Sequence, residues 1–305
     1  MKKILLLTGI LFTVFSGVRA QQSAGDILQK KTEHQLQDII KKSASITGLA
    51  AVDLSTGEMI FAHNVEMVFP QASAIKIPIL MEVFKQAQEG DFFLSDRQAI
   101  DPDLLVGGTG ILKHLEGDLT RSIKNLSVLM IALSDNSATN ILIDLVGMAA
   151  VNETLQEVGA GQTQLNRKMM DIKASAQNRE NIATPADAVH ILQLLYNGEF
   201  VSEEVSSEIF AMLRKTPRSE SGLAASLPDG VPIAFKPGGL KGVSTEWALV
   251  LLEERPYAVA LMQNYMIEGK SEQTAENISE VLYHYFWRVG NATDYGVYRD
   301  PALMN

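Results

Sequence analysis

Between residues 26 and 43 an otherwise polar run carries Leu28, Leu36, Ile39 and Ile40 at spacings that place them on one side of a helix. Downstream, LAAVDL (49–54) and MIFAHN (59–64) flank the turn STGE (55–58) and predict a β-hairpin. From Ser73 to about Tyr196 the pattern is nearly all helical. Strands return at VPIAFK (231–236), WALVLLE (247–253) and YAVALMQ (257–263), the last two joined by a turn through Glu254, Arg255 and Pro256. A closing helix over about 271–289 shows an apolar stripe of Ala275, Ile278, Val281, Leu282, Tyr285 and Phe286. Trp247 and Trp287 are expected in the core.

Strands at both ends around a helical middle predict an α/β (α+β) fold. One antiparallel sheet, built from both termini and flanked by helices, would hold an inserted all-helical domain. The expected division is 21–66 plus 213–305 for the sheet domain and 67–212 for the helical one. A site between two such lobes is expected at their junction.

The first residues change the picture of where the chain works. Lys2 and Lys3, the apolar run Ile4 to Val14, and the small-x-small stretch Val18-Arg19-Ala20 predict a cleavable signal peptide over 1–20. That apolar run is too short for a membrane span, which needs roughly 20 residues. The mature chain is then expected from Gln21, periplasmic or secreted. No cysteine is present, which excludes disulfides, thiol catalysis and cysteine-held zinc. The 26 lysines and arginines against 36 acidic residues give a charge of −10, and loss of Lys2, Lys3 and Arg19 makes the mature chain more acidic still. Such a surface argues against a nucleic-acid partner.

Three short motifs remain. In QASAIKIP (71–78), Ser73 and Lys76 are the only polar side chains between Ala72 and Met81. Helical spacing of three puts them on one face. A buried ammonium is costly without partners, so Lys76 needs a reason to be there. The plain alternative is a capping serine and a lysine whose amine reaches solvent, and a Ser-x-x-Lys arises about once by chance in a chain this long. Burial would instead lower the pKa of Lys76 and free it to act as a base. In LSDNSATN (133–140), Ser134-Asp135-Asn136 falls at a helix break, where all three residue types favour caps. In FKPGGLKG (235–242), Lys236 leaves a strand beside Gly238 and Gly239, which would let a ligand lie along the strand edge.

Taken together, in this order, the three motifs resemble the signature of class A β-lactamases and penicillin-binding proteins. The resemblance spans nearly the whole mature chain, and SDNSATN is particularly like class A. It implies an active-site serine hydrolase opening an amide through an acyl-enzyme, and a role in antibiotic resistance. Ser73 would be the acylated nucleophile, and Lys76 would take its proton directly or within a network. Ser134 would pass a proton to the leaving nitrogen. Asn136 would bind the substrate's side-chain amide, and Lys236 its carboxylate. The backbone N–H groups of Ser73 and Gly239 would form the oxyanion hole. The expected partner is a small β-lactam or a peptidoglycan-type peptide, with no cofactor, no metal and a monomeric chain.

Two departures from that pattern stand out. Class A enzymes carry an Arg-x-Glu-x-x-x-Asn run whose Glu activates the deacylating water. Here, counting from Arg167, the Glu place holds Met169 and the Asn place Lys173. The nearest carboxylates are Asp171 and Glu180. Asp171 either reaches in as the base or merely caps or ion-pairs within the loop, and Glu180 is expected as a surface or loop-bracing charge. The second departure is Pro237, which offers neither a hydroxyl nor an N–H; Lys241 or Thr245 would have to compensate. These changes keep two alternatives open: a D-alanyl-peptide carboxypeptidase or penicillin-binding protein with slow β-lactam turnover, and a non-catalytic binding module on the same fold. The histidines at 34, 63, 114, 190 and 284 form no His-x-x-x-His pair, and no Gly-x-Ser-x-Gly elbow is present.

Overall fold

The computed structural model describes residues 23–117, 119–267 and 272–299, so the predicted signal peptide lies outside the described residues. Its centre is a five-stranded antiparallel sheet of β1 (Ile46–Asp53), β2 (Met59–His63), β3 (Ile233–Leu240), β4 (Val243–Val250) and β5 (Tyr257–Asn264), in the order β2-β1-β5-β4-β3. The helices are α1 (Ala24–Lys42), α2 (Lys76–Glu89), α3 (Ile123–Ala132), α4 (Asn136–Val146), α5 (Met148–Glu157), α6 (Ile172–Ala176), α7 (Pro185–Asn197), α8 (Glu203–Leu213), α9 (Gly222–Ala225) and α10 (Glu272–Asn291).

The sheet is a wall between two cores. Alternation along β1 sends Leu49 and Ala51 to one side and Ala50 and Val52 to the other. Both faces are covered, which is why LAAVDL, WALVLLE and YAVALMQ read as almost unbroken apolar runs. On the first side α1 and α10 pack with Leu36, Ile40, Tyr285 and Phe286 against Phe61 and Tyr257. On the second side small residues, Ala50, Ala258 and Ala260, let the helical body approach closely. At Gly48 an added Cβ would stand 2.5 Å from the Phe69 ring and 2.8 Å from Pro185, so this contact admits only glycine. Helix α2 runs through the helical body with every residue from Lys76 to Phe84 buried.

Three expectations need correction. The apolar pattern ends β3 at Lys236, but the ladder continues to Leu240, pairing Lys236 with Trp247 and Gly238 with Thr245. Strand β3 lies at the sheet edge, where a proline's missing N–H can face away from the ladder. Trp247 is fully buried, but Trp287 is 38% exposed and packs at the surface against Tyr298. The stretch from Ser73 to Tyr196 is not all helix: residues 90–122 are mostly loop around two single 3₁₀ turns, and part of that loop reaches the site. Among the described residues no helix is long and apolar enough to cross a membrane.

Candidate active site

Ser73 sits on a single 3₁₀ turn, Ala72–Ile75, that leads directly into α2. A buried glutamine fixes this turn to the sheet. Gln71 receives the Trp247 Nε1–H on its Oε1 at 2.9 Å and donates from Nε2 to the Phe69 carbonyl at 3.0 Å. Its backbone carbonyl accepts from Thr245 Oγ1 at 2.9 Å, and its N–H donates to the Asn181 carbonyl at 2.8 Å. Ala72 then takes a left-handed φ of 45°, a strained conformation that such a network can hold. Thr245 is thereby committed to Gln71 and fully buried, so it does not replace the hydroxyl missing at Pro237.

Edge strand β3 lies against the nucleophile's own backbone. A Cβ on Gly238 would stand 2.6 Å from the Ser73 nitrogen, 2.7 Å from the Gln71 carbonyl oxygen and 2.8 Å from the Ala74 nitrogen. The requirement for glycine at 238 is therefore this backbone approach, and not room for a ligand. Gly239, one residue on, is exposed and opens onto the cleft, where a ligand can lie.

Lys76 is fully buried beneath the cleft floor. Its Nζ donates to the Ser134 carbonyl at 2.7 Å, to Ser134 Oγ at 3.0 Å and to Asn136 Oδ1 at 3.0 Å. Those contacts use all three N–H groups of an ammonium. The Asn136 amide is oriented by its Nδ2, which donates to the Gly107 carbonyl at 3.2 Å. Burial is the chief reason the Lys76 pKa falls well below the ordinary lysine value; the charge of Lys236 lowers it further and Asp135 opposes both. In the neutral amine, two N–H groups can stay on the acceptor-only oxygens of Ser134 carbonyl and Asn136. The lone pair then faces the Ser134 hydroxyl, which is able to donate to it.

Ser134-Asp135-Asn136 divides its labour. Asp135 is the N-cap of α4, its Oδ1 accepting from Ala138 N at 2.9 Å and its Oδ2 from Leu112 N at 2.7 Å. The capping expectation for the tripeptide thus belongs to its middle residue. Ser134 takes a left-handed φ of 51°, which turns its carbonyl and hydroxyl together onto Lys76.

Ser73, Ser134, Asn136, Lys236, Gly238 and Gly239 all line one cleft of about 820 Å³. Lys236 is 1% exposed, and its Nζ donates to the Pro237 carbonyl at 3.0 Å. Burial lowers its pKa from 10.5 to about 7, with Glu220 opposing. Asp171 is not among the residues lining this cleft. It is exposed and caps α6, its Oδ1 accepting from Ala174 N at 2.9 Å, which is the second of its two expected roles. Glu180 braces the loop: its Oε2 accepts from Arg167 Nη2 at 2.7 Å and Nε at 3.0 Å, and its Oε1 accepts from Ser175. Arg167, Met169 and Met170 of the loop do reach the cleft, and the Met169 backbone N–H and carbonyl are both held by the Asn140 side chain.

Sequence reasoning missed several lining residues. Gly108 and Thr109 come from the loop after Val106, Glu220 from the stretch before α9, and Glu246 from β4, paired with Pro237. The glycine-rich string VGGTG was a usable signal for the first pair. Glu246 carried none, because its carboxylate is turned inward to cap α9, accepting from Ser221 Oγ, from Gly222 N at 3.1 Å and from Leu223 N at 3.0 Å.

A serine on a helix-entry turn, a buried lysine and a second serine on that lysine form an arrangement that can support acyl transfer, with lysine where other such sites have histidine. The sequence matches the beta-lactamase enzyme family over residues 31–286, and the chain belongs to that family. It is similar to beta-lactamase BRO-1 of Moraxella catarrhalis, at 24% identity over 260 residues, covering 84% of this chain and 82% of the relative. Among solved structures it resembles a beta-lactamase from Sphaerobacter thermophilus, at 28% identity and a TM-score of 0.78, covering 85% of this chain and 97% of that one. PBP-A is similarly close, at 28% identity and a TM-score of 0.77 over 84% of this chain and 96% of that one. A mutant of PBP-A is an acyl-enzyme complex with penicillin G. The chain is a serine β-lactam hydrolase by family and fold.

Proposed function

We propose that the protein opens the β-lactam amide by acylation of Ser73. The observation that carries this reading is the buried Lys76 amine bridging Ser134 and Asn136 one helical turn from Ser73. The Ser73 oxygen attacks the lactam carbonyl while its proton enters the Lys76–Ser134 network. The tetrahedral oxyanion lies between the Ser73 and Gly239 N–H groups, a contribution of a few kcal/mol per donor. The C–N bond then breaks, and Ser134 delivers a proton to the nitrogen. Lys236 attracts the substrate carboxylate, and Asn136 holds the side-chain amide. Water finally cleaves the ester and restores Ser73. The predicted signal peptide supports export as the setting for this chemistry.

A second reading is supported by Met169, which occupies the place of a deacylating carboxylate. In it the enzyme acts on D-alanyl peptides and releases β-lactams slowly. Likeness to PBP-A agrees with either reading. The test is to mix mature protein with benzylpenicillin and follow intact mass and free product together. Rapid product without a lasting adduct supports the lactamase reading, and a persistent adduct the second. Replacing Ser73 with alanine should abolish the adduct; labelling that survives Ser73→Ala would remove Ser73 from the mechanism.

A further inference from the structure

The loop of residues 107–112 wraps the Ser134–Asn136 segment residue by residue. An added Cβ on Gly108 would stand 2.4 Å from Asn136 Nδ2, and one on Gly110 2.4 Å from the Asp135 Cα. Both glycines have left-handed φ, +79° and +104°. Between them Thr109 makes two contacts: its carbonyl accepts from Asn136 N at 3.2 Å, and its hydroxyl donates to the Ser134 carbonyl at 2.7 Å. That same carbonyl receives Lys76 Nζ, also at 2.7 Å. A carbonyl oxygen has two lone pairs, so the two donors share it fully.

We propose that Thr109 is a positioning residue for the reaction: its hydroxyl occupies one lone pair of the Ser134 carbonyl and so sets how strongly that carbonyl holds Lys76. The proposal rests on the reading of Lys76 and Ser134 as the proton network for acylation. If the Thr109 donor is removed, the carbonyl's electron density is left to Lys76 alone. The ammonium is then held more tightly, and the neutral amine that accepts a proton becomes scarcer at a given pH.

Other charges acting on Lys76 stay as they are. Asp135 faces it from the start of α4 and Lys236 from β3. Glu82, on its own helix, is tied to Gln86 and Thr154. Arg167 is paired with Glu180, and Glu220, Glu246 and Glu276 also line the cleft. A change confined to the Thr109 hydroxyl therefore isolates its effect.

The test uses Thr109→Val, which keeps the β-branched shape and puts a methyl where the hydroxyl stood, keeping water off the carbonyl. Thr109→Ser is the rescue. Thr109 is exposed, and melting temperatures establish that each variant folds. Two readouts are taken. The first is the Lys76 pKa by NMR of the labelled side chain in free protein, which needs no substrate. The second is the pH profile of benzylpenicillin acylation by intact mass. The expected result is a rise of up to about one pH unit in the Lys76 pKa of Thr109→Val. The acid limb of acylation should move by the same amount, with a loss of up to about tenfold below it, and Thr109→Ser should restore both. An unchanged Lys76 pKa, or a uniform loss of rate with no shift, overturns the proposal. Absence of any adduct in the unmutated protein would instead overturn the proposed function, while the NMR titration still decides the role of Thr109.

Discussion

The cleft is set by contacts between single atoms, and Gly238 is packed against backbone alone. The three atoms nearest to its missing Cβ all belong to backbone, at 2.6, 2.7 and 2.8 Å, and one is the Ser73 nitrogen proposed as an oxyanion donor. A side-chain neighbour can rotate away; a backbone turn pinned by Gln71 cannot without breaking buried hydrogen bonds. Gly238→Ala should therefore destabilise the fold by about 1–3 kcal/mol, as overpacking does elsewhere. It should also slow acylation by up to about 10²–10³-fold, the effect of losing one oxyanion donor. Urea denaturation and intact-mass acylation kinetics would measure the two effects. A variant with normal stability and normal acylation would show that the strand yields, and that Ser73 is not held by this contact.

Elements differ in how far the sequence revealed them. Period-2 and period-3.6 patterns placed the sheet and the terminal helices because burial of a face writes itself into composition. Helical spacing joined Ser73 to Lys76, but only motif resemblance brought Ser134 and Asn136 to them, since those contacts cross from α2 to the break between α3 and α4. The 158–184 segment was least legible. Its residues are fixed by side chain to backbone bonds, such as Asn140 with Met169 and Asn181 with Asn166 and Arg167, which leave no periodic trace. The same holds for Thr109, itself in a loop without regular structure, whose partners Ser134 and Asn136 lie 25 and 27 residues away. What this segment does follows from which residue it presents. Met169 lines the cleft, together with Arg167 and Met170, and Asp171 does not. Met169→Glu should therefore shorten the lifetime of the penicillin adduct by about 10²-fold or more, the usual scale of a well-placed general base. Asp171→Asn should leave that lifetime unchanged, because asparagine caps α6 as well as aspartate does. Adduct decay followed by mass for both variants tests the assignment; a slowed decay in Asp171→Asn would return Asp171 to the mechanism.

The whole molecule bears the burden of two buried lysines. Lys76 and Lys236 are 0% and 1% exposed, and neither forms an ion pair among the described residues. In the unfolded chain Lys236 titrates near 10.5, and in the fold near 7. Between those values the unfolded state binds more protons than the folded state, so this group makes stability rise with pH across the window. Below about pH 7 its full penalty is present, of the order of a few kcal/mol. Lys76 acts in the same direction, since its pKa is also depressed by burial. The ordinary carboxylate contribution is nearly flat over this range, because unperturbed acidic groups finish ionising near pH 5. Lys236→Met keeps much of the side-chain volume and removes the charge, at the loss of substrate carboxylate binding. The variant should be more stable than the parent at pH 6–7, and its advantage should shrink steadily as pH rises toward 10. Urea denaturation of both proteins at a series of pH values gives this difference. Groups that do not interact with Lys236 cancel, and Lys76, relieved of the Lys236 charge, adds to it in the same direction. A difference that does not change with pH would mean that Lys236 keeps its ordinary pKa in the fold, and that the cleft does not hold its cation at a cost to stability.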